Sequence, residues 1–126
     1  MIVSVDFDGT ITQSSDPTNS GFNKIRPDCK RVMDVLSCLG VEFVLLTGRK
    51  PEWVSEAVKL CKKWNLPIDT STPNTKRICD VYIDDKNLGC VGIDWKVIFS
   101  MLYAQISLSE LGGKDEESTF IFRWNG

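Results

Sequence analysis

The chain has 126 residues, of which 42% are apolar and 25% charged, and its formal net charge is −2. This length suits one domain with its own core, and the acidic balance argues against a dedicated nucleic-acid-binding protein, which is usually basic. Because the sequence contains no histidine, it excludes a Ser-His-Asp triad, a Cys–His nucleophile pair and a histidine-ligated zinc centre.

The five cysteines predict a reducing compartment. Their number is odd and no two are spaced C-x-x-C, which suits neither a disulfide framework nor a zinc site. The sequence also has no run of 18 apolar residues and no charged-then-apolar leader. We therefore expect a cytoplasmic protein without a membrane partner.

The first third of the chain predicts a strand, a loop and a helix. The mainly apolar residues 2–5 are typical of a buried strand, and the polar segment 11–26 is rich in turn residues. Pro27 favours a helix start and Gly40 a helix end. The apolar face of this helix is predicted to consist of Val32, Val35, Leu36 and Leu39.

The alternation continues with an apolar strand at 41–46, a helix beginning at Pro51, a short strand at Ile68 and a strand at 78–83. Asp94 is expected to cap a last helix. The inward residues of the second helix are predicted to be Val54, Ala57, Val58 and Cys61, and those of the last helix Trp95, Ile98, Phe99, Leu102 and Ile106. Strands alternating with helices predict a parallel, doubly wound α/β sheet.

The C-terminal segment is harder to interpret. The acidic residues 115–117 are followed by an apolar, aromatic run at 119–124. This segment can add an edge strand, contact a partner subunit or remain a loose tail, and the sequence does not decide among these. We divide the chain into a core at 1–108 and a tail at 109–126.

Three predicted strands end in residues suited to binding phosphate or metal. Asp6 and Asp8 follow the first strand, and since residues two apart in an extended segment point to the same side, both carboxylates can face one site. Thr47 follows the second strand, and an acidic pair at 84–85 ends the strand at 78–83. The carboxyl ends of parallel strands meet at one edge of the sheet, where open α/β folds bind ligands.

In these segments the chain resembles the haloacid dehalogenase-like (HAD) superfamily of aspartate-nucleophile phosphatases. The first motif of that superfamily, D-x-D-G-T, matches residues 6–10, the second matches Thr47, and the fourth matches the pair at 84–85. The resemblance covers roughly residues 1–106. It implies a three-layer, doubly wound, Rossmann-like core and Mg²⁺-dependent hydrolysis of phosphomonoesters.

The resemblance also implies a role for each matched residue. Asp6 attacks phosphorus and forms an aspartyl-phosphate, while Asp8 acts as general acid and then as general base. Thr47 and the backbone N–H of Gly48 hydrogen-bond the phosphoryl oxygens. The implied Mg²⁺ ligands are Asp6, the backbone carbonyl of Asp8, Asp84 and Asp85.

The lysine of the third motif has two candidates. Lys76 lies eight residues before Asp84, on the segment that enters the strand, whereas Lys86 directly follows the acidic pair. We favour Lys76, because Lys86 points away if the chain turns there. Arg49 is expected to make a structural hydrogen bond to nearby carbonyls rather than to contact substrate.

The spacing of the motifs leaves no room for the cap domain that many relatives carry. Fewer than forty residues separate Asp8 from Thr47. We therefore expect an open site, so that either the substrate is large or a second copy of the chain closes the site in a homo-oligomer. A third arrangement is a small flap formed by residues 12–24, in which Phe22 either meets the substrate or docks on the core.

The expected activity is that of a phosphatase acting on a small metabolite, a nucleotide or an exposed phosphate of a larger molecule. Two alternatives remain open. One is a non-catalytic regulatory or interaction domain that keeps the metal site, which the complete motif set disfavours. The other is a phosphotransferase, which an uncapped site disfavours because water reaches the intermediate.

Overall fold

The computed structural model describes residues 1–71, 73, 79–84, 94–112 and 120–123. Within these residues the chain forms five strands and three helices, joined in the order β1 (Ile2–Asp6), α1 (Cys29–Cys38), β2 (Glu42–Leu46), α2 (Pro51–Lys63), β3 (Ile68–Asp69), β4 (Val81–Asp84), α3 (Trp95–Gly112) and β5 (Phe120–Arg123).

The five strands form one sheet in the order β3-β2-β1-β4-β5, and every neighbouring pair is parallel. Parallel neighbours need a crossover connection, and α1, α2 and α3 supply it between β1 and β2, β2 and β3, and β4 and β5. The predicted parallel α/β sheet is therefore confirmed, with β1 at its centre.

Both faces of the central strand are covered. Val3, Ser4 and Val5, three successive residues of β1, are all buried. The neighbouring strand β2 is buried in the same way at residues 43–45. Continuous burial of this kind is the normal state of a parallel strand with layers on both sides, and it explains why these strands are apolar runs rather than alternating patterns.

Helix α1 differs from its prediction in both its start and its buried face. It begins at Cys29 rather than at Pro27, because Asp28 has a left-handed φ of +65° and cannot belong to the helix. Val35 and Leu39 are 44% and 46% exposed, so their predicted place in the core was wrong. The buried residues are Cys29, Val32, Met33 and Leu36.

Helices α2 and α3 begin as predicted. Pro51 is the first residue of α2, and the Asp94 carboxylate caps α3 by accepting a hydrogen bond of 2.9 Å from the N–H of Lys96. The predicted inward residues are buried at Ala57, Cys61, Trp95, Ile98 and Leu102 and half-buried at Val54, Val58, Phe99 and Ile106.

Asp80, which lies just before β4, joins the starts of two strands. The N–H of Ile2 donates to the Asp80 carboxylate (2.7 Å), and the N–H of Asp80 donates to the carbonyl of Ile2 (2.8 Å). Asp80 thereby fixes the start of β1 beside the start of β4. Strand β4 itself begins at Val81, later than predicted.

Helix α3 is the longest, with 18 residues, and continues to Gly112. Neither it nor any other helix in the described part of the chain has the length and apolar character needed to span a membrane. After it, β5 pairs with β4 from Val81↔Phe120 to Asp84↔Arg123. Of the three arrangements left open for the C-terminal segment, the structure has the edge strand.

Candidate functional site

The strand register aligns the predicted functional residues at one edge of the sheet. Asp6 pairs with Leu46 of β2, so Thr47 follows directly. Val5 pairs with Ile83 of β4, which brings the backbone of Asp84 level with Asp6. The chain adds β2 and β3 on one side of β1 and then returns to add β4 on the other. Open α/β sheets bind ligands at such a reversal, beyond the carboxyl ends of the strands.

The chain leaves β1 through a wide turn at residues 7–11. The N–H of Thr12 closes the turn by donating to the carbonyl of Phe7 (3.1 Å). Gly9 has a φ of +78°, and its N–H donates to the Thr12 hydroxyl at 3.1 Å. Arg26 donates two hydrogen bonds, of 3.1 and 2.7 Å, to the Gly9 carbonyl. Asp8 therefore lies in a turn whose backbone is fixed by hydrogen bonds to Thr12 and to Arg26.

The carboxylate of Asp8 is bound by Arg49 in a two-point contact. Arg49 donates from Nε to Oδ2 and from Nη2 to Oδ1, each at 2.8 Å. The Arg49 side chain is 8% exposed and that of Asp8 21%. The hydrogen bond to Asp8 raises the pKa of Arg49 further. Arg49 was expected to bond to nearby carbonyls, and it does donate to the side-chain carbonyl of Asn23, but its two-point contact is with the carboxylate of the proposed acid/base residue.

Two further polar side chains complete what we call the Arg49 network, formed by Asp8, Asn23, Arg49 and Glu56. Arg49 Nη2 donates to Asn23 Oδ1 at 2.6 Å, and Asn23 Nδ2 donates to Glu56 Oε1 at 3.0 Å. Arg49 Nη1 lies 3.6 Å from Glu56 Oε2. The network connects the turn after β1, the flap, the β2–α2 loop and α2. Sequence reasoning did not identify Asn23 and Glu56, because no local pattern relates positions so far apart.

Aromatic rings flank the guanidinium of Arg49. Its central carbon lies 4.9 Å from the ring centre of Phe7 and 5.1 Å from that of Phe22. Cations over aromatic faces are attracted to the negative centre of the ring, more strongly where water is excluded. Phe22 therefore contacts the site through Arg49, and both predicted roles of this ring, contact with substrate and docking on the core, stay predictions.

Backbone hydrogen bonds connect the beginning of the flap to its end. The N–H of Gln13 donates to the carbonyl of Lys24 (2.8 Å), and the N–H of Arg26 donates to the carbonyl of Ile11 (2.8 Å). Gly21 allows the two sides to approach, since a Cβ there would lie 2.8 Å from the Cβ of Gln13. The second half of the flap therefore folds back towards the site, where Phe22 contacts Arg49.

Thr47 and Gly48 lie in the loop that follows β2. Thr47 is buried, and its hydroxyl accepts a hydrogen bond of 3.2 Å from the N–H of Arg49. Gly48 is exposed, and the space that a Cβ would occupy there is open. The loop therefore combines a hydroxyl fixed close to the sheet with an accessible stretch of backbone.

The remaining predicted residues are less fully described. Lys76, its alternative Lys86 and the predicted metal ligand Asp85 lie outside the described residues, and Asp84 is placed by its backbone at the end of β4. Among the described residues, no three acidic, cysteine or histidine side chains are grouped closely enough to hold a metal ion. The Mg²⁺ site therefore stays a prediction.

Comparison with known proteins supports the fold. No protein-family model and no curated protein matches the chain significantly. A solved structure of a conserved protein coded by a locus from Bacteroides thetaiotaomicron is similar, with a TM-score of 0.64 and 25% sequence identity. The match covers 90% of this chain and 98% of that chain. The described α/β sheet and helices thus belong to a fold that the two proteins share.

Proposed function

We propose that the protein is a Mg²⁺-dependent phosphomonoester hydrolase of the HAD type, with a three-layer doubly wound core and no cap domain. The observation that carries this proposal is the position of Asp6 and Asp8 at the carboxyl end of the central strand. They lie between the Thr47 loop on one side and the backbone of Asp84 on the other.

The proposed chemistry follows from these residue types. Asp6 attacks phosphorus and forms an aspartyl-phosphate, which divides one difficult displacement into two steps. Asp8 donates a proton to the leaving oxygen and later accepts one from the attacking water. Thr47 and the backbone of Gly48 orient the phosphoryl group.

The residue types of the proposed ligands fit Mg²⁺, which prefers carboxylate and carbonyl oxygens and retains several waters. Asp6, the backbone carbonyl of Asp8, Asp84 and Asp85 are the proposed ligands. When bound there, Mg²⁺ offsets the negative charge of the phosphoryl group. Lys76 is the proposed additional cation.

The absence of a cap widens the range of substrates. Residues 9–46 contain the turn, the flap, α1 and β2, and residues 48–71 contain α2 and β3, so no domain is inserted in either segment. We accordingly propose an accessible site that accepts phosphate groups on metabolites, on nucleotides or at the ends of larger molecules.

One observation favours a second candidate, a non-catalytic binding domain. Both oxygens of Asp8 accept hydrogen bonds from a buried arginine. A carboxylate bound in this way can be explained by its structural role alone. The two candidates differ in what Asp6 and Asp8 do when a phosphate ester is present.

The first test is hydrolysis of a panel of phosphomonoesters with Mg²⁺ and with EDTA, for the wild type and for Asp6→Asn. We expect turnover that needs Mg²⁺ and is lost in Asp6→Asn, while circular dichroism and the unfolding midpoint show that the variant stays folded. Full activity of Asp6→Asn would exclude Asp6 as the nucleophile. No turnover by a folded, Mg²⁺-binding wild type would favour the binding domain.

A second measurement distinguishes the proposed role of Asp6 from that of Asp8. Asp8→Asn, mixed with para-nitrophenyl phosphate, should give a stoichiometric burst of nitrophenolate followed by slow turnover, because this leaving group needs no proton but the intermediate still needs a general base. Asp6→Asn should give no burst. A burst from Asp6→Asn would contradict the assigned roles.

A further inference from the structure

Arg49 is a cation that the chain holds away from solvent and directs at one carboxylate. Its side chain is 8% exposed, its guanidinium is flanked by the rings of Phe7 and Phe22, and it binds Asp8 at two points. A group enclosed in this way is poorly placed to bind a substrate. Its chemical effect on the site therefore passes through Asp8.

We propose that Arg49 is a positioning residue that orients the Asp8 carboxylate for proton transfer to the leaving group, and that the flap residues Phe22 and Asn23 hold Arg49 in place. This inference rests on the proposed function, because it gives Asp8 its acid/base role. It adds a dependence of the proton-transfer step on Phe22 and Asn23, two flap residues that are not among the predicted site residues.

The geometry explains why an arginine is needed. Proton transfer requires the donor oxygen to lie within hydrogen-bond reach of the leaving oxygen in the correct direction. The fork formed by Nε and Nη2 fixes the plane of the carboxylate, because each nitrogen binds a different oxygen. Each carboxylate oxygen keeps a second lone pair for the transferred proton. A lysine at this position keeps the charge but makes only a point contact.

The flap contributes two contacts that act on Arg49 and not on Asp8. Asn23 accepts from Nη2 at 2.6 Å, and the ring of Phe22 covers one side of the guanidinium. Asn23 has a φ of +58°, a conformation that asparagine tolerates better than most residues. Loss of these contacts should loosen Arg49, and through it Asp8.

The choice of leaving group separates positioning from a merely structural effect. An alkyl phosphate needs protonation of its leaving oxygen, whereas para-nitrophenyl phosphate releases a stable anion without it. If Arg49 only stabilises the fold or the site, its loss should slow both reactions equally. If it orients the acid, its loss should slow the alkyl ester selectively.

The experiment compares kcat and KM of Arg49→Lys on both esters with those of the wild type. We expect kcat for the alkyl ester to fall roughly 10- to 100-fold, kcat for the aryl ester to change much less, and KM to stay similar. The matched control is Arg31→Lys, since Arg31 is an exposed residue of α1 paired with Asp28, and both rates should stay at the wild-type level. Equal losses on the two esters, or no loss, would overturn the proposal.

Two further variants keep the test decisive if Arg49→Lys is unstable. Asn23→Gly keeps the left-handed backbone and removes the side-chain bonds, so it should show the same selective loss at smaller size. In Arg49→Ala, methylguanidinium should restore hydrolysis of the alkyl ester by occupying the space between Phe7 and Phe22, whereas methylammonium should not. If neither the selective loss nor the rescue occurs, Arg49 does not position Asp8.

The outcome also distinguishes this inference from the underlying function. A wild type that hydrolyses neither ester would refute the phosphatase proposal itself. A wild type that hydrolyses both, with equal losses in Arg49→Lys and in Asn23→Gly, would refute only the positioning role of Arg49.

Discussion

At the scale of single residues, the site depends on a few positions whose backbone or environment is unusual. Gly9 is one, because its φ of +78° lies in a region that residues with a Cβ enter only at a cost. Its N–H and its carbonyl are both hydrogen-bonded, to Thr12 and Arg26. The turn that carries Asp8 therefore cannot relax easily around a larger residue.

Gly9→Ala is expected to lower the free energy of unfolding by about 1–2 kcal/mol, as measured by chemical denaturation. Gly48→Ala is the matched control, because a Cβ at Gly48 meets open space, and its change should stay within about 0.5 kcal/mol. Similar losses in the two variants would show that the backbone conformation of Gly9 is not the cause.

The buried thiols of Cys29 and Cys61 lead to a second prediction at this scale. Burial raises the pKa of Cys61 to about 12, and it raises the pKa of Cys29 as well. In the unfolded chain a thiol ionises near pH 8.5, so at higher pH the unfolded state releases protons that the native state retains. The stability contributed by these thiols is complete below about pH 8.5 and declines as the pH rises towards the native pKa.

The free energy of unfolding should therefore fall between pH 8 and pH 10, by on the order of 1 kcal/mol per pH unit for each buried thiol. Cys61→Ala should remove the part of this decline that belongs to Cys61, whereas Cys38→Ala, at an exposed position, should leave it unchanged. Denaturation curves at both pH values measure the difference. An identical decline in the wild type and Cys61→Ala would contradict the prediction.

At the scale of elements, the first residue of α3 joins this helix to the turn after β1. Trp95 is buried, and its indole N–H donates to the carbonyl of Thr10 at 3.0 Å. A buried hydrogen bond of this kind adds to the stability of the folded state. The contact thus stabilises α3 and the turn that carries Asp8 together.

Trp95→Phe should destabilise the protein by about 1–3 kcal/mol, because it removes a buried hydrogen bond as well as part of the packing. The same change at Trp53, which is 56% exposed on α2, should have almost no effect. The two unfolding midpoints, measured under identical conditions, test this. Equal midpoints for the two variants would contradict it.

At the scale of the whole molecule, the sheet order brings distant segments to one edge. The central strand β1 lies between β2 and β4, so groups at the ends of three strands meet beside Asp6. The strand β5 then covers the outer side of β4. An uncovered β4 would present unpaired backbone groups, which invite pairing with another chain.

A chain that ends after residue 112 should therefore associate more than the full chain, since it lacks β5. We expect a larger average mass by light scattering and a lower unfolding midpoint, because backbone hydrogen bonds to β4 are lost. Truncation after residue 123 keeps β5 and serves as the control. Equal mass and stability for all three chains would show that β5 contributes little.

The sequence by itself determined the class of fold and the position of the candidate groups along the chain. Largely apolar segments at β1 and β2, separated by amphipathic helices, are compatible with few arrangements other than a parallel α/β sheet, because both faces of such strands must be buried. Asp6, Asp8 and Thr47 come just after these segments, so their position at the ends of strands could also be predicted from the sequence. Local signals of this kind depend on neighbours a few residues apart.

Only the tertiary structure decided which distant residues meet. The pairing of Asp8 with Arg49 and Asn23, the edge strand β5, the Asp80 link to Ile2 and the exposure of Val35 all result from contacts between separate segments. Periodicity shows that a helix has an apolar face, but the width and direction of the buried stripe depend on what packs against it. The charge partner of Asp8 likewise follows from the sheet order, because a polar side chain in a flap carries no local signal of the group it will contact.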